Sequence, residues 1–268
     1  MSGAKVVEPA AVKAAVVEPA AVKAAGVEIE NLTIAYDRHP AVHHVSGSFA
    51  LGSLTAIVGP NGAGKSSLLK ALAGLIRPAE GHIRHASPGR LAYLPQAAEI
   101  DRDFPISVID LVRMGHWRRV GVFGRIDRAM RDAADAALHA VGLDGFGLRP
   151  IGTLSVGQFQ RALFARLMLQ DAQVILLDEP FAAVDERTTA DLLGLVARWH
   201  REGRTVIAVL HDIEQVGRHF PETVLMARHV LAWGPSAEAL RPELLQQAGA
   251  LAGAWHAHAP VCAVAPGP

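Results

Sequence analysis

The chain has 268 residues, half of them hydrophobic, with 26 Lys plus Arg set against 26 Asp plus Glu. That length and apolar share allow a substantial core, arranged as one large domain or two modest ones. The zero formal charge excludes a global electrostatic footprint for nucleic acid or an anionic membrane, the single cysteine, Cys262, excludes an intramolecular disulfide framework, and no apolar run reaches the length of a membrane span.

Residues 6–15 read VVEPAAVKAA, and residues 16–25 repeat them letter for letter. Two short copies are too few for a solenoid, and the proline in each stops any helix crossing both. Glu8, Pro9, Lys13 and Glu18 also interrupt any secretory apolar region. Residues 1–26 are therefore expected to form a disordered or weakly helical tail, and the protein is expected to stay in the cytoplasm. Folded structure is expected from Val27, because residues 27–36 alternate like a half-exposed antiparallel strand. A second strand is expected around 42–49, and a third in the apolar run Leu54-Thr55-Ala56-Ile57-Val58.

That third strand leads into Gly59-Pro60-Asn61-Gly62-Ala63-Gly64-Lys65-Ser66, which fits G-x-x-x-x-G-K-[ST]. The apolar spacing of Ser67-Leu68-Leu69-Lys70-Ala71-Leu72-Ala73-Gly74 then reads as a helix, so the motif stands between strand and helix as it must. Its glycines let backbone N–H groups turn inward, and the helix adds a positive end, making a cradle for phosphate oxygens. Lys65 is then expected to reach the β- and γ-phosphates of ATP and the Ser66 hydroxyl to ligate Mg²⁺. The bland alternative is a chance glycine-rich turn.

Two short strand candidates lie between Ile83 and Leu94. Helical periodicity then runs from Pro105 to about Gln170, with candidates at 107–115, 127–141 and 156–170, so this stretch reads as a helical insertion. Val174-Ile175-Leu176-Leu177 is continuously apolar, as expected of a strand covered on both faces. A helix at 186–202, a strand at 205–210, a short helix from Asp212, and strands at 224–227 and 230–233 complete an α/β pattern. Helices near 236–240 and 241–252 lead to a Pro, Gly and Ala tail. Asp178 closes the buried strand at the carboxyl edge where open α/β sheets bind ligands, and a carboxylate there holds Mg²⁺ directly or through water. Glu179 follows and is placed to polarise an attacking water. The alternative is that Asp178-Glu179-Pro180 simply starts a helix. His211 closes a second strand; alone it reads as structural, but with the other motifs it is a contact for the γ-phosphate and the water.

Together these residues resemble one family, the ATP-binding subunits of ABC transporters, over 27 to about 235. Leu154-Ser155-Val156-Gly157-Gln158 resembles the family signature, Gln96 its Q-loop, Asp178-Glu179 its Walker B end, Ala183-Val184-Asp185 its D-loop and His211 its switch histidine, while Tyr36 stands near the aromatic that stacks on adenine. The resemblance implies an α/β fold, a P-loop ABC ATPase domain with an antiparallel β subdomain and a helical subdomain at about 105–170, followed by C-terminal helices and a flexible tail at 236–268. It implies a head-to-tail homodimer in which each ATP lies between one chain's Tyr36, Gly59 to Ser67 and Asp178, and the other chain's Ser155, Gly157, Gln158 and Asp185. It also assigns catalysis to Glu179, His211, Lys65 and Gln96, and Mg²⁺ to Ser66, Gln96 and Asp178. Two departures stand out: Val156 replaces the usual signature glycine, which would be strained and slow hydrolysis if the position needs positive φ, although activity is expected to survive because Gly157 is retained, and Ser67 replaces the usual threonine while keeping a hydroxyl.

About sixty residues follow His211, so the regulatory domain that sugar-type importers carry is not expected. The stretch from Glu99 to His116, and Phe181-Ala182-Ala183-Val184-Asp185, resemble zinc and manganese importers. Zinc is the first expectation, manganese the second, and iron-chelate or cobalamin import the third. The implied partners are an integral membrane permease, whose coupling helix would sit in a groove formed by 97–120, and, indirectly, a periplasmic or extracellular metal-binding protein. The apolar residues of that stretch read equally well as internal core. The expected location is peripheral, on the cytoplasmic face of the plasma membrane, with no nucleic-acid partner. Alternatives are a clamp that binds nucleotide but barely turns over, an exporter subunit, or a soluble ABC protein on ribosomes or DNA, the last disfavoured by a single phosphate loop. His256, His258 and Cys262 supply two imidazoles and a thiol for Zn²⁺ in the tail, at a spacing that fits no established zinc module, the alternative being a solvated terminus, and the side chains of His43 and His44 are expected to diverge from a strand.

Overall fold

A computed structural model describes residues 24–36, 39–87, 89–121 and 124–257, with 252–257 by backbone only. The N-terminal repeat up to residue 23, His258 and Cys262 lie outside the described residues, as does the side chain of His256.

The first sheet is antiparallel and three-stranded, in the order β2-β1-β4, from β1 (Ala25–Tyr36), β2 (His39–Ala50) and β4 (Glu80–His85). The second is six-stranded, in the order β5-β6-β7-β3-β8-β9, from β3 (Leu54–Val58), β5 (Leu91–Leu94), β6 (Val174–Asp178), β7 (Thr205–Val209), β8 (Glu222–Ala227) and β9 (His229–Pro235). Only the β8–β9 pairing in this sheet is antiparallel. The two short strands expected between 83 and 94 therefore part company: β4 pairs with β1, whereas β5 pairs with β6. β1 begins at Ala25, two residues before the expected start of folded structure.

Alternate residues of the parallel strands serve two cores, because side chains of a strand alternate between faces. Ile57, Val174, Leu176, Ile207 and Val209 pack with β1, β2 and α1 (Lys65–Leu72), which lies between the sheets. Ala56, Val58, Ile175, Leu177, Val206 and Ala208 face the other core. That core is shared with α2 (Val108–Arg113), α4 (Arg128–Ala140), α5 (Val156–Leu169) and α6 (Glu186–Arg201). The short α3 (Trp117–Val120) lies between α2 and α4, and α7 (Ile213–His219), α8 (Ser236–Ala239) and α9 (Pro242–Ala257) complete the described residues. Ser107, Asp127, Asp185 and Asp212 each accept a backbone N–H as the N-caps of α2, α4, α6 and α7, which explains where those helices start.

One local expectation fails. His43 and His44 do not diverge: their rings meet edge to face with centroids 4.2 Å apart. The β1–β2 register shifts between the Leu32↔Val45 and Ile34↔Val42 pairs, and His44 takes φ 47°, so the strand is kinked and its period-2 alternation is lost there.

Candidate nucleotide site

The site lies at the carboxyl ends of β3, β6 and β7. After Val58 the chain turns at Gly59, where a Cβ would lie 2.0 Å from the Met226 carbonyl oxygen of β8. Gly64, at φ 87°, closes the loop, and a Cβ there would lie 2.1 Å from the Ala41 carbonyl oxygen of β2. No side chain other than hydrogen fits either place. Gly64 is also the N-cap of α1 and supplies no side-chain bond, so the helix's first-turn amides are left to an incoming acceptor. Lys65 is 6% exposed. Its ammonium donates to the carbonyls of Gly59 at 2.8 Å and Pro60 at 3.0 Å, bridging the loop it follows. Burial pulls its pKa down, against the raising influence of Glu179 and Asp178. Asn61 and Gly62 stand exposed on the loop's outer side, and Ala63 is buried beneath it.

Across from this loop, Asp178 is fully buried at the end of β6. One carboxylate oxygen accepts from Ser66 Oγ at 2.9 Å and the other from the Tyr93 hydroxyl at 3.3 Å. Gln96 Nε2 reaches the same Ser66 oxygen at 3.5 Å. Burial raises the Asp178 pKa and Glu179 adds to that, while Ser66, Lys70 and Tyr93 oppose it. A buried carboxylate beside a hydroxyl is a hard donor pair, to which Gln96 adds its amide oxygen if the side chain turns over from the Nε2 contact, and hard oxygen donors that leave room for phosphate and water suit Mg²⁺. The residues present thus fit that ion.

The next residue turns sharply: Glu179 takes φ 49° while its N–H donates to the Val209 carbonyl at 3.2 Å. Its Oε1 lies 2.5 Å from Nε2 of His211, just beyond β7. The pair lies beside a cavity of about 810 Å³ between α6 and α7. Tyr36, at the end of β1, is 49% exposed and donates through its hydroxyl to Ser67 Oγ at 3.3 Å, so an exposed ring stands over the start of α1.

The segment around Ser155 is separate from this cluster. Ser155 caps α5 reciprocally: its Oγ accepts from the Gln158 N–H at 3.2 Å and its own N–H donates to Gln158 Oε1 at 3.0 Å. Val156 is the first residue of α5, 39% exposed, and has no positive φ. The strain expected of a β-branched residue there does not arise, because the first turn of a helix asks only for ordinary helical angles. Gly157 lets α5 approach α6 closely, since a Cβ would lie 3.3 Å from Asp185 Oδ2. Asp185 is occupied as the α6 cap, accepting from the Thr188 N–H at 2.9 Å and hydroxyl at 2.8 Å. Within one chain, then, Lys65, Ser66, Gln96, Asp178, Glu179 and His211 come together, and Ser155, Gly157, Gln158 and Asp185 form a second group.

Residues 42–182 match the family model described as ABC transporter. The chain belongs to the ABC transporter family. As an ABC-type ATPase it is 39% identical, over 82% of its length and 94% of the relative's, to the manganese transport system ATP-binding protein MntB of Listeria monocytogenes. It is 37% identical to the zinc transport system ATP-binding protein TroB of Treponema pallidum, covering 82% of this chain and 85% of that one. Its fold matches a structure reported as an inward-facing conformation of a metal-chelate type ABC transporter, with TM-score 0.76 and 28% identity over 84% of this chain and 89% of that one.

Three residues of this ABC ATPase were not singled out in its sequence. Tyr93 holds the second Asp178 oxygen, and the only signal was a phenol in an otherwise apolar strand. Lys70 pairs with Glu99 at 2.6 Å, tying α1 to the chain after Gln96. Arg161 of α5 donates to the Val141 carbonyl at 2.9 Å, to Thr188 Oγ1 at 3.2 Å and to Asp191 at 2.7 Å, fastening the capped helix end to α6. Nothing in spacing marks these pairs, which join residues far apart in the chain.

Proposed function

We propose that this chain is the ATP-hydrolysing subunit of a system that imports a divalent transition-metal ion through a separate membrane permease. The observation that carries the hydrolytic half is the Glu179–His211 pair, 2.5 Å apart, set beside a buried Asp178–Ser66 pair at the mouth of an uncapped helix. Lys65 would exchange the Gly59 and Pro60 carbonyls for β- and γ-phosphate oxygens. Ser66, Asp178 and Gln96 would hold Mg²⁺, which when bound offsets phosphate charge. Glu179, oriented by His211, would take the proton of the water whose oxygen bonds to the γ-phosphorus as the β–γ bridging bond breaks; such a base is worth about 10²–10⁴ in rate. Tyr36 offers its exposed face to adenine.

The second group of residues makes sense in a head-to-tail homodimer. Ser155 keeps its hydroxyl proton, and the capping box leaves the Val156 and Gly157 amides at a positive helix end, available to a γ-phosphate held by a second copy. For the permease, the helical insertion presents Phe104, Met114 and Trp117, at 60%, 48% and 59% exposure, within the expected 97–120 docking stretch. Among the described residues no helix is long and apolar enough to cross a membrane, so membrane association would be peripheral, through that permease. The cargo reading rests on the relatives named for manganese and zinc transport. Their names divide, so the order that put zinc first gains no support, and either ion fits the proposal.

Uptake of ⁵⁴Mn²⁺ and ⁶⁵Zn²⁺ in cells lacking this chain, complemented with the wild type or with Glu179→Gln, tests the reading. Wild type should restore uptake of one ion and the Gln variant should not. Equal restoration by both proteins would end the hydrolytic role, and restored export in place of uptake would reverse the direction.

A further inference from the structure

The strap from Gln96 to Ser107 runs from the phosphate site to the helical insertion, and it is fastened at two points. Glu99 accepts from Lys70 of α1 at 2.6 Å. Three residues on, Arg102 Nη2 donates to the carbonyl of Leu154, the residue before the α5 cap. The same guanidinium lies 5.0 Å from the ring centroid of Phe159, inside α5. Backbone contacts reinforce this second point. A Cβ on Gly152 would lie 2.9 Å from the Arg102 carbonyl oxygen, the Ile151 N–H donates to the Ile106 carbonyl at 3.1 Å, and the Val108 N–H donates to the Arg149 carbonyl at 2.9 Å.

We propose that Arg102 is a positioning residue for the N-terminus of α5. The Leu154 carbonyl and the Ser155 N–H belong to one planar peptide unit, so fixing either fixes the other. Arg102 holds the carbonyl side with a charge-assisted hydrogen bond, and Gln158 holds the N–H side at 3.0 Å. The orientation of that plane sets the direction of the Ser155 hydroxyl and of the amides that follow. The Phe159 ring adds a flat seat for the guanidinium, which a lysine ammonium lacks. Because the strap also carries Gln96 and Glu99, Arg102 joins the chain's own phosphate site to the helix end that would serve the other copy's nucleotide.

This inference rests on the homodimer reading, and the test separates the two. ATP turnover of the purified full chain is measured against protein concentration, together with ADP affinity and amide exchange over residues 155–159, for wild type, Arg102→Ala and Arg102→Lys. Arg102→Ala should lower turnover at saturating ATP roughly tenfold or more, since a ~1 Å misplacement of a reacting group can cost ~10²-fold. It should also steepen the concentration dependence, speed exchange at 155–159, and leave ADP affinity at the single-chain phosphate loop unchanged. Arg102→Lys, with a donor but no planar face, should fall between, and it carries the test should the alanine variant not fold. Unchanged turnover and exchange, beside a wild type whose specific rate rises with concentration, would overturn the role of Arg102 alone. A parallel fall in ADP affinity would mark general damage and overturn it too. A wild-type specific rate independent of concentration would remove the homodimer reading and this inference with it.

Discussion

The N-termini of α1 and α5 are both offered to phosphate in the reading above, yet they are built in opposite ways. α1 is capped by Gly64, which has no side chain to spend on the first-turn amides. α5 is capped by Ser155 and Gln158 in a closed reciprocal box. With glycine as its cap, the uncapped end gives up only about 0.3 kcal/mol relative to a polar cap, and in that reading keeps its donors for a ligand. The boxed end is stable without one, so its ligand must come to an already finished surface. Under the proposed homodimer, the difference would separate a binding site complete within one chain from one that needs a second copy.

The largest expected effect breaks the first of these ends. Gly64→Ala places a methyl 2.1 Å from the Ala41 carbonyl oxygen at a position with φ 87°, and should cost about 3 kcal/mol or more in urea denaturation and abolish nucleotide binding. Gly62→Ala is the control: it also has positive φ, at 77°, but nothing lies within 4 Å of the added methyl, so only ~1–2 kcal/mol of backbone strain is expected. Equal stability of the two variants would show that the loop has room to relax and that its shape is not fixed by close approach to β2.

A smaller effect is expected at the carboxylate facing the same helix end. Burial raises the Asp178 pKa, so its favourable contribution to the nucleotide-free protein is fully present below the ordinary value of 3.8 and is lost as pH rises through the folded pKa. At neutral pH the carboxylate is then a liability until a cation arrives. Asp178→Asn should therefore raise nucleotide-free stability by about 1 kcal/mol at pH 7, or ~2–4 °C in melting temperature for a domain of this size. The gain should shrink as pH falls toward the ordinary carboxylate range, while ATPase activity drops by about 10²-fold or more. A variant less stable than wild type at pH 7 would mean that Ser66 and Tyr93 satisfy the charge by themselves.

How far the sequence reveals these features follows from how local their causes are. The phosphate loop is legible because its glycines and lysine are dictated within eight residues by a backbone that must turn twice against β2 and β8. Polar caps at Ser107, Asp127, Asp185 and Asp212 mark helix starts for the same local reason. The split of β4 and β5 between two sheets is invisible, since both are short strands and pairing partners lie elsewhere in the chain. The kink at His44 is equally hidden, because a non-glycine residue with φ 47° gives no compositional signal. Tyr93, Lys70, Arg102 and Arg161 act through partners 20 to 85 residues away, at distances that no periodicity encodes.

Val156 sharpens the comparison from the side of α5, with the smallest effect expected. Slow turnover at this position is expected only if Val156 needs positive φ, and its helical conformation removes that cause. What remains is the bulk of an isopropyl group, 39% exposed, at the end of the boxed helix. Val156→Gly should cost no more than ~0.5 kcal/mol in stability, because the first helical position loses little to glycine flexibility compared with a helix interior. If the box alone orients Ser155 and the neighbouring amides, turnover should change by less than about threefold, under ~1 kcal/mol in the barrier. A tenfold rise, with unchanged ADP affinity and unchanged amide exchange at 155–159, would instead show that the side chain obstructs an incoming phosphate, and would revive the slow-clamp reading for steric rather than conformational reasons.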